Sequence, residues 1–261
     1  MDVDTEIIML GAIQGLTEWL PISSTGHLKL IEIIFGLSLP LLFDVILHVG
    51  TLIVTIFFFR DEIRRILAAL IKFDFKSKEG RLVLRIIVGS VPTAIIGFIL
   101  LKLLEDVFQR IFVVSIAFII SGLLIGLSKM GREVKDCVDY KSAIIIGIAQ
   151  GFSIIPGLSR SGLTISVALI LGIKREEAFK FSFLLSIPAV LGALSVTIYY
   201  QAASLLAAGI DLVSLIIGSL VAMLLGYISL RVLHRFLHKF HIFTVYPLIL
   251  GSYLMICDFL L

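Results

Sequence analysis

Charged side chains and cysteines are both scarce in this chain of 261 residues. Only 16 % of the residues are charged, and the two cysteines are Cys137 and Cys257. Soluble domains carry about 25 % charged residues, so the composition argues against an ordinary soluble protein. Two isolated cysteines form neither a disulfide framework nor a metal-binding pattern. Because the first 20 residues hold no lysine or arginine, a secretory signal peptide is not expected either.

Apolar residues make up most of what the chain does contain. They account for 59 % of the sequence, and its mean hydropathy is +1.12. A helix needs about 20 apolar residues to cross a bilayer. We therefore predict an all-α, polytopic integral membrane protein in which residues 1–261 form a single membrane domain. The six predicted spans are 40–59, 82–104, 111–128, 181–199, 210–230 and 242–261.

Two further apolar segments, 6–35 and 143–172, are interrupted in the middle by proline, glycine and serine. Each fragment is too short to cross the membrane alone. Irregular backbone at membrane depth is tolerated where it lines a cavity. We therefore predict that both segments are re-entrant helical hairpins.

The two interrupted segments carry the same polar pattern, which indicates an internal repeat. Each half holds one hairpin and three spans, and because three is odd, the second half should lie upside down relative to the first. Such an inverted-topology repeat, here approximately 1–130 and 140–261, places its polar site near the midplane where the hairpins meet. Without a gap the paired positions are Gln14/Gln150, Gly15/Gly151, Thr17/Ser153, Ser23/Ser159, Thr25/Ser161 and Gly26/Gly162.

The basic residues are concentrated in alternate connections of the predicted topology. By the positive-inside rule the basic connections are cytoplasmic. This count puts both termini and the first hairpin on the outer side of the plasma membrane, so we expect a site that opens outward. Contact with lipid headgroups accounts for the basic loops, and no nucleic-acid partner is expected. The basic connections are 60–85, 129–141, 174–180 and 231–239.

The first hairpin holds the densest group of reactive side chains. Glu18 is its acid, and a break at Pro21 is followed by Ser24 and His27. A turn that opens a helix presents free backbone N–H groups, which bind phosphate-like anions. His27 is either a proton handler or nucleophile, or a structural histidine bonded to a carbonyl. The residues predicted to bind phosphate in this turn are Gln14, Ser23, Thr25 and Gly26.

The second hairpin contributes an arginine to the expected site. Arg160 lies at membrane depth, where a lone charge is costly, and its guanidinium fork suits phosphate oxygens. The alternative is a salt bridge to Glu18 without a ligand. Asp44 and His48 lie four residues apart on the first span, either pointing into the same cavity behind the catalytic groups or forming a structural pair. Further phosphate-binding candidates are Ser159, Ser161 and Gly162.

In its two motifs the chain resembles the undecaprenyl-diphosphate phosphatase family, also called bacitracin-resistance proteins. The motifs are residues 14–27, ending in Ser-Ser-Thr-Gly-His, and residues 156–162, which read Pro-Gly-Leu-Ser-Arg-Ser-Gly. The resemblance covers essentially the whole chain. It implies that the catalytic residues are Glu18, Ser24, His27 and Arg160. One departure is Gln14, where an acid is common in the family, and this weakens any scheme in which two carboxylates share a metal.

The resemblance implies hydrolysis of a polyprenyl diphosphate to its monophosphate, which recycles the lipid carrier of cell-envelope polysaccharide synthesis. Two mechanisms remain open. In one, Ser24 is the nucleophile while His27 and Glu18 handle the proton. In the other, His27 is the nucleophile and Glu18 acts through a divalent cation such as Mg²⁺ or Ca²⁺.

Three other assignments compete with this family. Inverted repeats with broken helices are typical of transporters, so a polyprenyl-phosphate flippase is the main alternative. A second class of membrane lipid phosphatases needs another histidine soon after its arginine, which this chain lacks before His234. A channel or scaffold would not need Arg160. The apolar outer surface suits membrane lipids and a second copy of the chain equally, so a homodimer stays open.

Overall fold

The protein is all-helical in the computed structural model, which describes residues 3–37, 39–104, 107, 110–207 and 212–260. Within these ranges the only β pairing is an isolated bridge between Lys135 and Ile173. The α-helices are α1 Val3–Glu18, α2 Ser24–Phe35, α3 Leu41–Phe58, α4 Arg60–Ile71, α5 Lys78–Leu104, α6 Ile111–Leu127, α7 Tyr140–Phe152, α8 Arg160–Ile170, α9 Arg175–Ala207, α10 Leu212–Arg235 and α11 Val245–Leu260. Short 3-10 helices cover Ser128–Met130 and Leu237–Thr244.

Six helical segments in the described part of the chain are long and apolar enough to cross a membrane. They confirm the six predicted spans and the all-α class. Three of them begin earlier than the hydropathy indicated, at Lys78, Arg175 and Leu237. The helices α5 and α9 start at Lys78 and Arg175, because acidic residues in their first turns, such as Glu79 and Glu176, interact favourably with the positive end of a helix. The spans are Leu41–Phe58, Lys78–Lys102, Ile111–Met130, Arg175–Gln201, Leu212–Arg235 and Leu237–Phe259.

The helix α4 lies inside the basic connection 60–85, where the sequence analysis placed no helix. Its apolar side chains Ile63 and Ile66 pack against the core, while Arg64 and Arg65 are exposed. This amphipathic spacing is the ordinary signature of a surface helix. The sequence analysis missed this helix because it assigned the whole segment, which is rich in basic residues, to a connecting loop.

Both interrupted segments form pairs of short helices around a break. The pairs are α1 with α2 and α7 with α8, and equivalent serines cap the second helix of each. Ser23 Oγ accepts the N–H of Gly26 at 3.2 Å, and Ser159 Oγ accepts the N–H of Gly162 at 3.1 Å. Such capping satisfies an otherwise free donor at a helix start. A pair of short helices does not show where the bilayer lies. That each pair enters and leaves the membrane on the same side therefore stays a prediction.

The two halves pack against each other through reciprocal contacts. Helix α1 lies along α10 and helix α7 lies along α5. A Cβ atom on Gly11 would clash with the carbonyl oxygen of Gly218, and one on Gly147 would clash with that of Gly89. The two contacts are equivalent in the proposed repeat, because Gly11 corresponds to Gly147 and Gly218 corresponds to Gly89. In both, the lack of a side chain allows the helix backbones to approach closely. The inverted orientation and the boundaries of the repeats remain predictions.

An aromatic cluster supports the break of the first hairpin. The ring of Trp19 lies 4.9 Å from that of Phe183, which in turn lies 4.5 Å from the ring of Phe179. Trp19, the one tryptophan of the chain, is fully buried in this cluster. Because Trp19 directly follows Glu18, packing of its large ring positions the carboxylate at the end of α1.

We predict that Gly147→Ala destabilises the protein, because the new methyl group would meet a backbone carbonyl that cannot rotate away. Forcing α5 and α7 apart should cost about 1–3 kcal/mol and lower the thermal unfolding temperature in detergent. The matched control is Gly97→Ala on α5, where a Cβ has open space within 4 Å. Equal unfolding temperatures for both variants would contradict the close helix contact.

Candidate active site

The breaks of the two hairpins meet at Ser23. Its Oγ accepts the N–H of Gly157 from the second hairpin at 3.1 Å and donates to the carbonyl oxygen of Leu158 at 3.3 Å. Ser23 has a positive φ of 65°, which is uncommon for a residue other than glycine. Gly157, at φ 99°, lies so close to helix α6 that a Cβ would meet the backbone of Val114. Ser23 therefore joins the hairpins, in addition to capping α2.

An ion pair between the two hairpins forms the centre of the candidate site. Glu18 is the last residue of α1 and Arg160 is the first of α8, and Nη2 of Arg160 donates to Oε1 of Glu18. The guanidinium also lies over the ring of Trp19, 5.1 Å from its centroid. The side chain of Glu18 is 3 % exposed and that of Arg160 is 15 % exposed. The salt bridge to Glu18 that the sequence analysis considered for Arg160 is therefore present in the structure.

The second oxygen of the Glu18 carboxylate, Oε2, lies close to three further polar side chains. Oε2 accepts from Nε2 of Gln14 at 3.0 Å and from Oγ of Ser24 at 2.5 Å. Nε2 of His48 lies 3.3 Å from the same oxygen. A buried carboxylate needs such donors, because an ionised group without partners is very costly there. The structure thus unites four residues that the sequence selected, together with Arg160.

His48 reaches Glu18 because its other ring nitrogen is fixed. Its Nδ1 lies 2.7 Å from the backbone carbonyl oxygen of Asp44. A carbonyl only accepts, so Nδ1 carries a proton, and Nε2 can donate to Glu18 only when the ring carries both protons. Asp44 contributes through its backbone. Its carboxylate makes no hydrogen bond to Glu18 among the described residues, and its buried Oδ1 has no hydrogen-bond partner there.

His27 points in another direction. Its Nδ1 donates to the carbonyl oxygen of Ser23 at 2.7 Å, and its Nε2 lies 2.6 Å from the hydroxyl of Tyr246 on α11. Among the described residues it has no hydrogen bond to Ser24 or Glu18. The bond to Ser23 is the carbonyl bond that the sequence analysis considered as a structural role.

The predicted phosphate-binding residues mostly make contacts within the hairpin junction. The hydroxyls of Ser159 and Ser161 lie 3.3 Å apart, and Ser161 donates to the carbonyl oxygen of Leu20 at 3.4 Å. Thr25 Oγ1 lies 3.4 Å from Oγ of Ser23. Arg160 differs from these residues, because its Nη1 is buried and has no partner within the described part of the chain. A buried donor of this kind is costly unless a ligand uses it.

Two residues beside the site escaped the sequence analysis. The sequence analysis gave Trp19 no role in the site, yet the Arg160 guanidinium lies over the face of its ring, a favourable cation–π contact. Tyr246 was regarded as part of an ordinary span, and it is bonded to His27. Proximity of Trp19 to Glu18 in the sequence was an available signal. No local signal exists for Tyr246, because more than 200 residues separate it from its partner.

A divalent cation does not fit the donor set around Glu18 as it stands. The described residues contain no group of three or more His, Cys, Asp or Glu side chains able to hold a metal ion. Glu18 provides a single carboxylate, and Arg160 and His48 lie against it. Hard cations prefer several oxygen ligands. No reaction step is therefore derived through a metal, and the cation expected from sequence remains a prediction.

The chain is similar to known proteins over most of its length. Residues 7–253 match the family described as bacitracin resistance protein BacA. An undecaprenyl-diphosphatase of Carboxydothermus hydrogenoformans is 46 % identical over 264 residues, covering 96 % of each chain. Proteins of the same name from Chloroherpeton thalassium and Korarchaeum cryptofilum are 37 % and 35 % identical, covering 98 % and 94 % of this chain and 96 % of each relative. With its motifs meeting at one buried ion pair, this chain belongs to the bacitracin resistance protein BacA family.

Proposed function

We propose that the protein is a membrane phosphatase that hydrolyses undecaprenyl diphosphate, or a similar polyprenyl diphosphate, to the monophosphate and inorganic phosphate. The observation that carries this proposal is the contact of a hydroxyl, a carboxylate and a guanidinium at one point between the hairpins. These groups are Ser24, Glu18 and Arg160. The names of the similar proteins support the substrate and the reaction.

The hydrogen bond from Ser24 to Glu18 supports a mechanism with a serine nucleophile. As Oγ of Ser24 attacks the terminal phosphorus, Glu18 takes the hydroxyl proton. The new bond joins Oγ to phosphorus, and the bond to the bridging oxygen breaks, so that the polyprenyl monophosphate leaves. Water then attacks the phosphorus of the phosphoserine and the bond from phosphorus to Oγ breaks. Glu18 returns its proton to Oγ, which restores Ser24 and the carboxylate, and inorganic phosphate leaves with the oxygen and protons of the water.

Arg160 would bind the transferring phosphoryl group. Its unpartnered Nη1 is a donor available to a phosphate oxygen, and a guanidinium binds two such oxygens at once. As the phosphate binds, Arg160 can exchange its bond to Glu18 for bonds to the ligand, which frees the carboxylate to accept the proton of Ser24. Positive charge fixed at this point stabilises the charge on the phosphoryl oxygens in the transition state.

The scheme in which His27 is the nucleophile remains an alternative. Because Nδ1 of His27 donates to Ser23, the lone pair of the neutral ring lies on Nε2, as a nucleophile requires. This scheme lacks a contact between His27 and Glu18, whereas Ser24 already donates to that carboxylate. A transporter is less favoured than a phosphatase, since anion binding alone does not require a hydroxyl bonded to a carboxylate.

We further propose that the protein is a multi-pass protein of the plasma membrane, with the site opening to the outer side. The support is the positive-inside rule, applied to the basic segments that connect the spans. A lipid with a long polyprenyl tail would reach such a site laterally from the bilayer.

The first prediction concerns phosphate release by the detergent-purified protein from a long-chain polyprenyl diphosphate. Ser24→Ala and Arg160→Ala should each lower kcat at least about 100-fold, because general acid–base and electrostatic terms are each of roughly that size. Ser195→Ala is the control, since Ser195 is exposed on α9 and bonds only to its own helix at Leu191. Full activity of the Ser24→Ala variant would exclude the serine mechanism.

The same assay with and without EDTA tests the expected cation. Loss of activity that returns with Mg²⁺ or Ca²⁺ supports the cation, and unchanged activity contradicts it. Phosphate binding without any phosphate release by a folded wild-type protein would contradict the phosphatase and favour a transporter.

A further prediction concerns the contact between His48 and Glu18. His48→Leu removes the imidazole that lies 3.3 Å from the carboxylate oxygen and should lower kcat about 10–100-fold, the worth of one hydrogen bond to a charged group. His48→Gln offers an amide donor of similar reach and should retain most of the activity. Equal loss in both variants would contradict a role as a hydrogen-bond donor.

Orientation can be tested with the native cysteine Cys137, which is exposed in the basic segment 129–141. In a Cys257→Ser background, a membrane-impermeant maleimide should label Cys137 only after the cells are permeabilised. Labelling of Cys137 in intact cells would reverse the proposed orientation.

A further inference from the structure

Tyr246 lies against His27, although neither the repeat nor the polar motifs predict this contact. It is the second residue of α11, and its hydroxyl oxygen lies 2.6 Å from Nε2 of His27. The two rings are also stacked, with centroids 5.6 Å apart and planes inclined by 15°. A hydrogen bond combined with ring stacking restricts the imidazole to one orientation.

The protonation pattern of His27 follows from its two hydrogen bonds. The carbonyl oxygen of Ser23 lies 2.7 Å from Nδ1, and because a carbonyl only accepts, Nδ1 carries the proton. In the neutral ring the lone pair then lies on Nε2, and the hydroxyl of Tyr246 donates to it. Tyr246 thus engages the nitrogen through which a neutral His27 would act as a base or a nucleophile.

The helices α6 and α11, which contribute the aromatic neighbours of His27, pack closely against each other. A Cβ on Gly251 of α11 would lie 2.7 Å from the carbonyl oxygen of Ser115, and a Cβ on Gly122 of α6 would lie 2.8 Å from the side chain of Leu248. On α6, Phe118 presents its ring edge-on to His27, with centroids 5.4 Å apart and an interplanar angle of 86°. The same pair of helices therefore confines the His27 ring from two sides.

We propose that Tyr246 is a positioning residue for His27 in the phosphatase reaction, an inference that rests on the function proposed above. Its hydroxyl keeps His27 as the tautomer protonated on Nδ1 and directs the Nε2 lone pair towards α11. The oxygen of an incoming water molecule takes the position of the hydroxyl, and the water donates one O–H to the lone pair on Nε2. The hydroxyl then donates to that oxygen.

The kinetic test compares Tyr246→Phe, which keeps the ring and removes the hydroxyl, with Tyr253→Phe on the same helix. Tyr253 is 63 % exposed and serves as the matched control. With polyprenyl diphosphate in detergent, Tyr246→Phe should lower kcat about tenfold, the effect of one hydrogen bond, and leave KM within about twofold. Tyr253→Phe should match the wild type. An unchanged or higher kcat in Tyr246→Phe would overturn the proposal.

A second measurement does not depend on turnover. In protein labelled with ¹⁵N-histidine, the signals of His27 are identified by their loss in His27→Gln. Tyr246→Phe should shift the Nε2 signal of His27 and leave the signals of the other histidines in place. An unmoved Nε2 signal would overturn the proposal. If wild-type protein releases no phosphate while the Nε2 signal shifts, the hydrogen bond stands and the proposed function fails.

Discussion

The ion pair between Glu18 and Arg160 is the interaction on which the arrangement of the two hairpins depends. Glu18 ends helix α1 and Arg160 begins helix α8, each beside the break of its hairpin. The two residues come from opposite halves of the sequence. Neither charge is tolerable at a buried position without the other. Folding therefore requires the two breaks to meet, and when they meet, the reactive groups of the first hairpin come to lie beside the arginine of the second.

The surrounding packing determines how closely the breaks can approach. Ser23 bonds to the backbone of the second hairpin, and a Cβ on Gly26 would clash with Phe118 and with the backbone of Gly157. Small residues and backbone hydrogen bonds act where a soluble protein would use hydrophobic burial, because lipid is as apolar as the helix surfaces. The hydroxyls of Ser23, Thr25, Ser159 and Ser161 thus make hydrogen bonds or close contacts at the junction, whereas Nη1 of Arg160 has no hydrogen-bond partner in the described part of the chain.

The architecture was largely predictable, and the differences have identifiable causes. Long apolar runs predict spans because the bilayer requires about 20 such residues, and all six spans are present. Hydropathy does not report where a helix ends in the polar interface, so α5 and α9 extend beyond the predicted limits at Lys78 and Arg175. Helix α4 was missed because its charge content outweighed its apolar periodicity.

The sequence by itself determined the class of membrane protein and the two polar motifs, since these follow from composition and short-range spacing, and the family resemblance of the motifs implied the catalytic residues. Only the tertiary structure decided which contacts those groups make. Ser24 donates a hydrogen bond to Glu18 and Nε2 of His48 lies 3.3 Å from the same carboxylate oxygen, while the side chain of His27 contacts Tyr246. The physical reason is that side-chain direction at a helix break depends on neighbouring helices. The residues that direct His27 lie on α6 and α11, far from it along the chain.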